Sequence, residues 1–202
     1  NRGLFDGVDA DGTHSTAELA KLLGSPVLLV VDCTKVTRTV AALVLGCQQL
    51  DRSLNLAGVI LNHVATSRQE LVIREAIEDA CRIPVLGAMP RLRGDDPLPS
   101  RHLGLVTAVE HPRRDEAIDR AADAVARYVE LDRIVAVART AVPANLPTRA
   151  APAAGALARI GYFRDEAFSF YYPENLEGLR SSGAELTAVA PASDSALPEV
   201  DG

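Results

Sequence analysis

Pro26-Val27-Leu28-Leu29-Val30-Val31-Asp32 is the stretch that decides the fold. Its five consecutive apolar residues sit between a proline and a carboxylate. That is the pattern of a strand buried on both faces, as in a parallel sheet. Two similar runs follow. Ala57 to Leu61 is apolar and ends at Asn62, and Pro84 to Ala88 is closed by Pro90. Between them the spacing predicts helices from about Val36 to Leu50 and from about Ser67 to Cys81. Strands alternating with helices of this length predict βαβ units and a parallel, helix-covered sheet, the α/β class.

Upstream, Gly3 to Thr13 holds three glycines and three aspartates and reads as a loop. Ser15 suits an N-cap, with Glu18 completing a capping box, for a helix running to Gly24. Downstream, Arg113 to Ile134 predicts one more helix, with Ile118, Ala121, Ala122, Val125, Tyr128 and Val129 at 3–4 spacing. Ala138 to Ala158 is rich in alanine and proline and reads as a linker. Beyond it, Arg159–Phe163, Pro173–Ser182 and Glu185–Val189 predict a fresh β-α-β. That unit is too short to bury a core alone and reads as the opening of a second domain. The expected organisation is therefore 1–137, a linker at 138–158, and 159–202. The first domain opens in a loop with no strand before it, so a segment from the middle of a longer enzyme is expected.

The chain has 202 residues and is 48% hydrophobic, enough for a real core. Its formal charge of −6 and lack of a Lys/Arg cluster argue against a nucleic-acid partner. No run approaches the roughly 18 to 20 apolar residues that span a bilayer, and no signal peptide is evident. Cys33, Cys47 and Cys81 lack metal-ligand spacing and read as free thiols in a reducing cytoplasm. None lies at a glycine-flanked elbow, so no cysteine nucleophile is expected.

Ligands of open α/β sheets sit beyond the carboxyl ends of the strands. The Gly3–Gly7 loop, Asp32 to Thr37, Asn62-His63 and Pro90 to Arg93 are expected to meet there. Asp6 could hold Mg²⁺ or orient ammonia; it could equally bond its own turn. Asp32 could serve metal or water, or cap the next helix. Thr37 and Arg38 open that helix, whose free N–H groups could accept a phosphate or a substrate carboxylate. Asn62 offers the donor and acceptor that reading adenine requires; a turn role is the alternative. His63 shows no evident carboxylate partner and reads as a loop residue, while His102 could contact substrate or serve structure.

One further string stands apart. Arg164-Asp165-Glu166-Ala167-Phe168-Ser169-Phe170-Tyr171-Tyr172-Pro173-Glu174-Asn175-Leu176-Glu177 carries four of the eight aromatic residues, with no tryptophan anywhere. Together with Gly3-Leu4-Phe5-Asp6-Gly7, Ser15–Gly24, Ala57–Asn62 and Leu98–Leu105, in this order, it resembles the cobyrinic acid a,c-diamide synthases. The resemblance runs along nearly the whole chain; the 138–158 stretch does not share it.

What the resemblance implies is an ATP-dependent synthetase domain similar to dethiobiotin synthetase, followed by a flavodoxin-like, triad-type glutaminase domain. Glutamine would supply ammonia. The a- and c-acetate carboxylates of cobyrinate or hydrogenobyrinate would be activated by phosphorylation and then amidated, with ATP and Mg²⁺ as cofactors. Asp6 matches the aspartate of the family's glycine-flanked active-site loop, with Phe5 as its aromatic. Asn62 matches the adenine-reading position, and Ser15 and Thr16 the helix start near substrate. The family's glycine-rich phosphate loop would lie upstream, and the glutaminase cysteine, histidine and glutamate after Gly202, so the segment alone is expected to be inactive. A homodimer is compatible with this reading. A non-catalytic relative or a partition-type P-loop ATPase of the same fold, acting through a protein partner, is the alternative; the aromatic string argues against it.

Overall fold

In a computed structural model of the chain, residues 3–92, 113–142, 157–165 and 167–202 are described. They form two compact units, 3–92 with 115–142 and 157–202. The first unit runs α1 (Thr16–Leu22), β1 (Val27–Asp32), α2 (Thr39–Leu50), β2 (Leu56–Val64), α3 (Ser67–Cys81), β3 (Val85–Pro90), α4 (Arg114–Tyr128) and α5 (Leu131–Ala138). Its sheet has the order β1-β2-β3, all parallel. The second unit holds β4 (Ala158–Phe163), α6 (Pro173–Ser181) and β5 (Ala184–Val189), with β4 and β5 parallel. The α/β reading of the sequence holds.

The first core forms where one face of β1 and β2 meets α2 and α3. Val31, Val59, Leu61, Val85, Val44, Ile73 and Ile77 are buried there. Ile73 and Ile77 are one helical turn apart, so α3 presents one apolar stripe to the sheet. Thr66 caps α3 by accepting the N–H of Gln69. Ser15 does the same for α1 through the N–H of Glu18, while the Glu18 carboxylate pairs with Lys21. Only the forward half of the expected capping box is therefore formed.

Four expectations need correction. β1 is not buried on both faces: only Val31 is fully buried, and Val30 is 60% exposed. Among the described residues β1 lies at the sheet's edge, with β2 as its one strand neighbour. α2 starts at Thr39 rather than Val36. The Val36 carbonyl, needed by a helix begun there, instead accepts a hydrogen bond from the Gln69 side chain at 2.7 Å. β2 continues through Asn62 and His63 to Val64. Finally, the expected single helix from 113 to 134 is two. Val129 forms a bridge to Gly87 of β3, and the Glu130 N–H donates to the Leu86 carbonyl at 2.8 Å. This close approach requires glycine at 87, since a Cβ there would lie 3.0 Å from the Tyr128 carbonyl oxygen.

The second unit has little interior. Val189 is its one fully buried large apolar residue among those described. Of the expected linker, 143–156 lies outside the described residues, as do His102 and the 98–105 string.

Candidate functional site at the strand ends

Parallel pairing sets Asp32, the last residue of β1, beside Asn62 of β2. Between Leu61 and Val64, β2 carries one residue more than β3 does between its partners Ala88 and Pro90. This is a β-bulge, a device that re-aims side chains near sites. His63 sits in it with a left-handed φ of 58°, a conformation that costs energy outside glycine. The imidazole Nδ1 comes to 3.1 Å from Asp32 Oδ2. The expectation that His63 has no carboxylate partner is thus corrected, and the bulge is the reason.

Asp32 is exposed yet well anchored. Its Oδ1 accepts the Thr34 N–H at 2.7 Å. The Thr34 hydroxyl and N–H, and then His63, hold its carboxyl down at about 2, so it is ionised at neutral pH. Asn62 Oδ1 accepts the His63 N–H at 3.0 Å, which leaves the amide NH₂ free to donate. Its carbonyl accepts the Cys33 N–H at 2.8 Å.

Gln69, which the sequence reading passed over, ties these parts together. Its Nε2 donates to the carbonyls of Cys33 and Val36, both at 2.7 Å, and its Oε1 accepts the Ala65 N–H at 2.8 Å. One side chain thereby joins the loop after β1 to the loop after β2. The signal available was Thr66-x-x-Gln69, a capping-box pattern at the start of α3.

The other expected site residues lie in the loop after β1, in the opening loop and at the start of α1. Thr37 is exposed in the turn before α2, and Arg38 lines a groove of about 720 Å³ between α2 and α3, with Val72, Glu75 and Asp79. Asp6 bonds its own turn, accepting the Gly3 N–H at 2.8 Å. Gly7 lets that loop close, because a Cβ there would meet the Thr13 oxygen at 2.2 Å. Phe5 and Ser15 line a depression of about 240 Å³ with Lys21 and Asp51. Asp51 follows the C-terminal end of α2, at the amino ends of the strands. Thr16 lines a separate one with His14 and Leu19. The opening loop is therefore not gathered with Asp32 and Asn62, contrary to expectation. Cys33 and Cys81 are buried and Cys47 partly so. Burial pushes all three thiols up, and for Cys33 the Asp32 charge adds to it.

A carboxylate held ionised suits a hard cation, and a strand-end amide suits a nucleobase edge. Among the described residues no three His, Cys, Asp or Glu side chains form a ready-made cage. Asp32 is chemically suited to Mg²⁺, an ion that commonly takes only one or two carboxylates from a protein.

Comparison with known proteins defines the class first. The family model "AAA domain" matches residues 6–97, in keeping with a P-loop-type parallel α/β unit. The chain is, further, related over its whole length to the corrinoid a,c-diamide synthases. It is 46% identical over 209 residues to the cobyrinate a,c-diamide synthase of Magnetococcus marinus, covering 100% of this chain and 44% of that protein. It is 40% identical over 200 residues to that of Salmonella typhimurium, covering 98% and 43%. Against the hydrogenobyrinate a,c-diamide synthase of Brucella anthropi it is 42% identical over 196 residues, covering 95% and 43%. The chain thus spans less than half the length of these relatives. No solved structure matches it significantly. No described helix is long and apolar enough to cross a membrane.

Proposed function

We propose that the chain is part of an ATP- and glutamine-dependent ligase that amidates the a- and c-acetate carboxylates of cobyrinate or hydrogenobyrinate. The observation that carries this is similarity from end to end, at 40–46% identity, to proteins named for that conversion. In this reading 1–137 belongs to the synthetase domain and 159–202 opens the glutaminase domain, in a cytoplasmic enzyme with which a homodimer is compatible. ATP would supply the phosphoryl group that turns a poor electrophile, the carboxylate, into a reactive acyl phosphate.

The described residues take roles consistent with this. Asn62 would donate its free NH₂ to the adenine edge, and Asp32 would hold Mg²⁺ beside the phosphates. His63 keeps the Asp32 carboxylate aimed, and Gln69 fixes both loops. The roles of Phe5, Asp6, Ser15, Thr16, Thr37 and Arg38 toward substrate, with Asp6 as the catalytic carboxylate, rest on the resemblance.

The test is ATP- and glutamine-dependent amidation of cobyrinate and hydrogenobyrinate by the full-length protein that carries this chain. Asn62→Ala should raise KM for ATP roughly tenfold, the value of one charge-free nucleobase contact of about 1.4 kcal/mol. ATP hydrolysis stimulated by a protein partner, with no amidation of either corrinoid, would favour the partition-type ATPase instead.

A further inference from the structure

The second unit has a property that its short sequence conceals. Beyond β5 the chain returns to the opposite edge of β4: the Asp201 N–H donates to the Arg159 carbonyl at 2.7 Å, and the Gly161 N–H to the Gly202 carbonyl at 2.9 Å. β4 is therefore central, with β5 on one side and residues 201–202 on the other. The carboxyl end of β4 is the end of a parallel sheet at which open α/β folds bind ligands.

The aromatic string occupies that end, and it is built rather than loose. Asp165 Oδ1 accepts the N–H groups of Ala167 and Phe168, both at 2.9 Å, and Oδ2 accepts that of Ala192 at 3.2 Å. Phe168 packs on Phe163 with ring centroids 5.3 Å apart, and Tyr171 meets Tyr162 edge-on at 5.5 Å. Phe170 and Tyr172 are left 87% and 67% exposed on this ordered loop. Beside them a cavity of about 240 Å³ is lined by Arg164, Ser169, Tyr171, Glu177 and Arg180. Among the described residues, two guanidiniums stand against one carboxylate there, a net positive lining suited to an acid.

Exposed aromatic rings near a cavity lined by two guanidiniums match a ligand with a flat apolar body and carboxylate arms. A corrinoid acid has that form, and its arms other than the two being amidated must be held somewhere. We infer that this crevice is a second corrinoid contact. Arg164 and Arg180 take a rim carboxylate, and Phe170 and Tyr172 lie against the macrocycle. This rests on the function proposed above.

The test uses the full-length protein and equilibrium titration with cobyrinate, then hydrogenobyrinate, followed by the ligand's visible absorbance without ATP or glutamine. Arg180→Gln and Arg164→Gln should each raise the corrinoid Kd roughly tenfold, and Arg180→Lys less, since it keeps the charge. Corrinoid should also quench tyrosine fluorescence, and Tyr172→Leu should reduce that quenching, with Tyr162 and Tyr171 still contributing to it. The quenching needs no arginine variant to fold. Wild-type protein that amidates a corrinoid, with unchanged Kd in all variants, would sink this site and leave the function standing. A raised KM for glutamine with unchanged corrinoid Kd would assign the crevice to glutamine and overturn the proposal. Wild-type protein that neither binds nor amidates either corrinoid would remove both readings together.

Discussion

The two units hold their functional loops by different means. In the first, Asp32 and Asn62 stand at the ends of strands whose lower parts are locked by a core of fully buried residues, Val59, Leu61, Ile73, Ile77 and Val85 among them. In the second, almost nothing is buried, and the aromatic loop is held by one aspartate and two ring pairs. Apolar burial is the dominant stabilising term, and it does not depend on pH. Exposed carboxylate hydrogen bonds are weaker and titrate. The first site thus stands on a packed core, and the second on exposed carboxylate hydrogen bonds and two ring contacts.

The sharpest way to break that contrast is to open the first core. Ile73→Ala should destabilise the first unit by about 2 to 5 kcal/mol, the range for deleting a large buried aliphatic side chain. Three of the four tyrosines, Tyr162, Tyr171 and Tyr172, lie in the second unit. Tyrosine fluorescence therefore reports mainly on that unit, and circular dichroism mainly on the helices of the first. In urea, the substitution should move the dichroism midpoint and leave the fluorescence midpoint in place. If both move together, the units unfold as one and the contrast is wrong.

A smaller effect is expected at Gln69. Gln69→Leu keeps the size but removes three hydrogen bonds, leaving the Cys33 and Val36 carbonyls and the Ala65 N–H to water. The cost should be about 1 to 3 kcal/mol. Hydrogen exchange should quicken at Ala65 and in the first turn of α2, while β2 stays protected. Uniform quickening across the sheet would mean that Gln69 supports the core rather than the loops.

Much of this architecture was legible in the sequence because single residues announce it. Ser67 to Cys81 reads as a helix from its apolar spacing and is one, and Pro173 marks the start of α6. The runs Val27–Val31 and Ala57–Leu61 lie within strands. What was not legible depends on partners distant in sequence. Val129 leaves its helix because Gly87 lets it reach β3, and no local propensity encodes that. The bulge at Asn62-His63 exists only relative to Met89 across the ladder, so the His63–Asp32 pair, 31 residues apart, could not be read from either residue. Likewise, the strand-end rule gathered Asp6 with Asn62, but it cannot say where a loop preceding α1 will settle. The fold followed from local pattern, while the site needed register.

Acid should separate the units by the smallest effect, and its sign can be worked out. Asp165 lies below the ordinary carboxylate range because it accepts the N–H of Phe168, with Ala192 and Ala167 adding to it. Asp201 is lowered by the Arg159 guanidinium and N–H. A carboxyl depressed in the folded state contributes stability that is present above its unfolded value, near 4, and is lost as pH falls through the folded one. In the second unit these carboxylates anchor the aromatic loop and the returning segment at 201–202. In the first, Asp32 and Asp51, both down at about 2, decorate a core that stands without them. On titration from pH 5 to pH 2, tyrosine fluorescence should change before the dichroism does. Asp165→Asn, which cannot carry the charge, should bring that change to neutral pH, whereas Asp32→Asn should leave the tyrosine signal where it was. Simultaneous loss of both signals on acidification would show that the second unit draws its order from something other than its carboxylates.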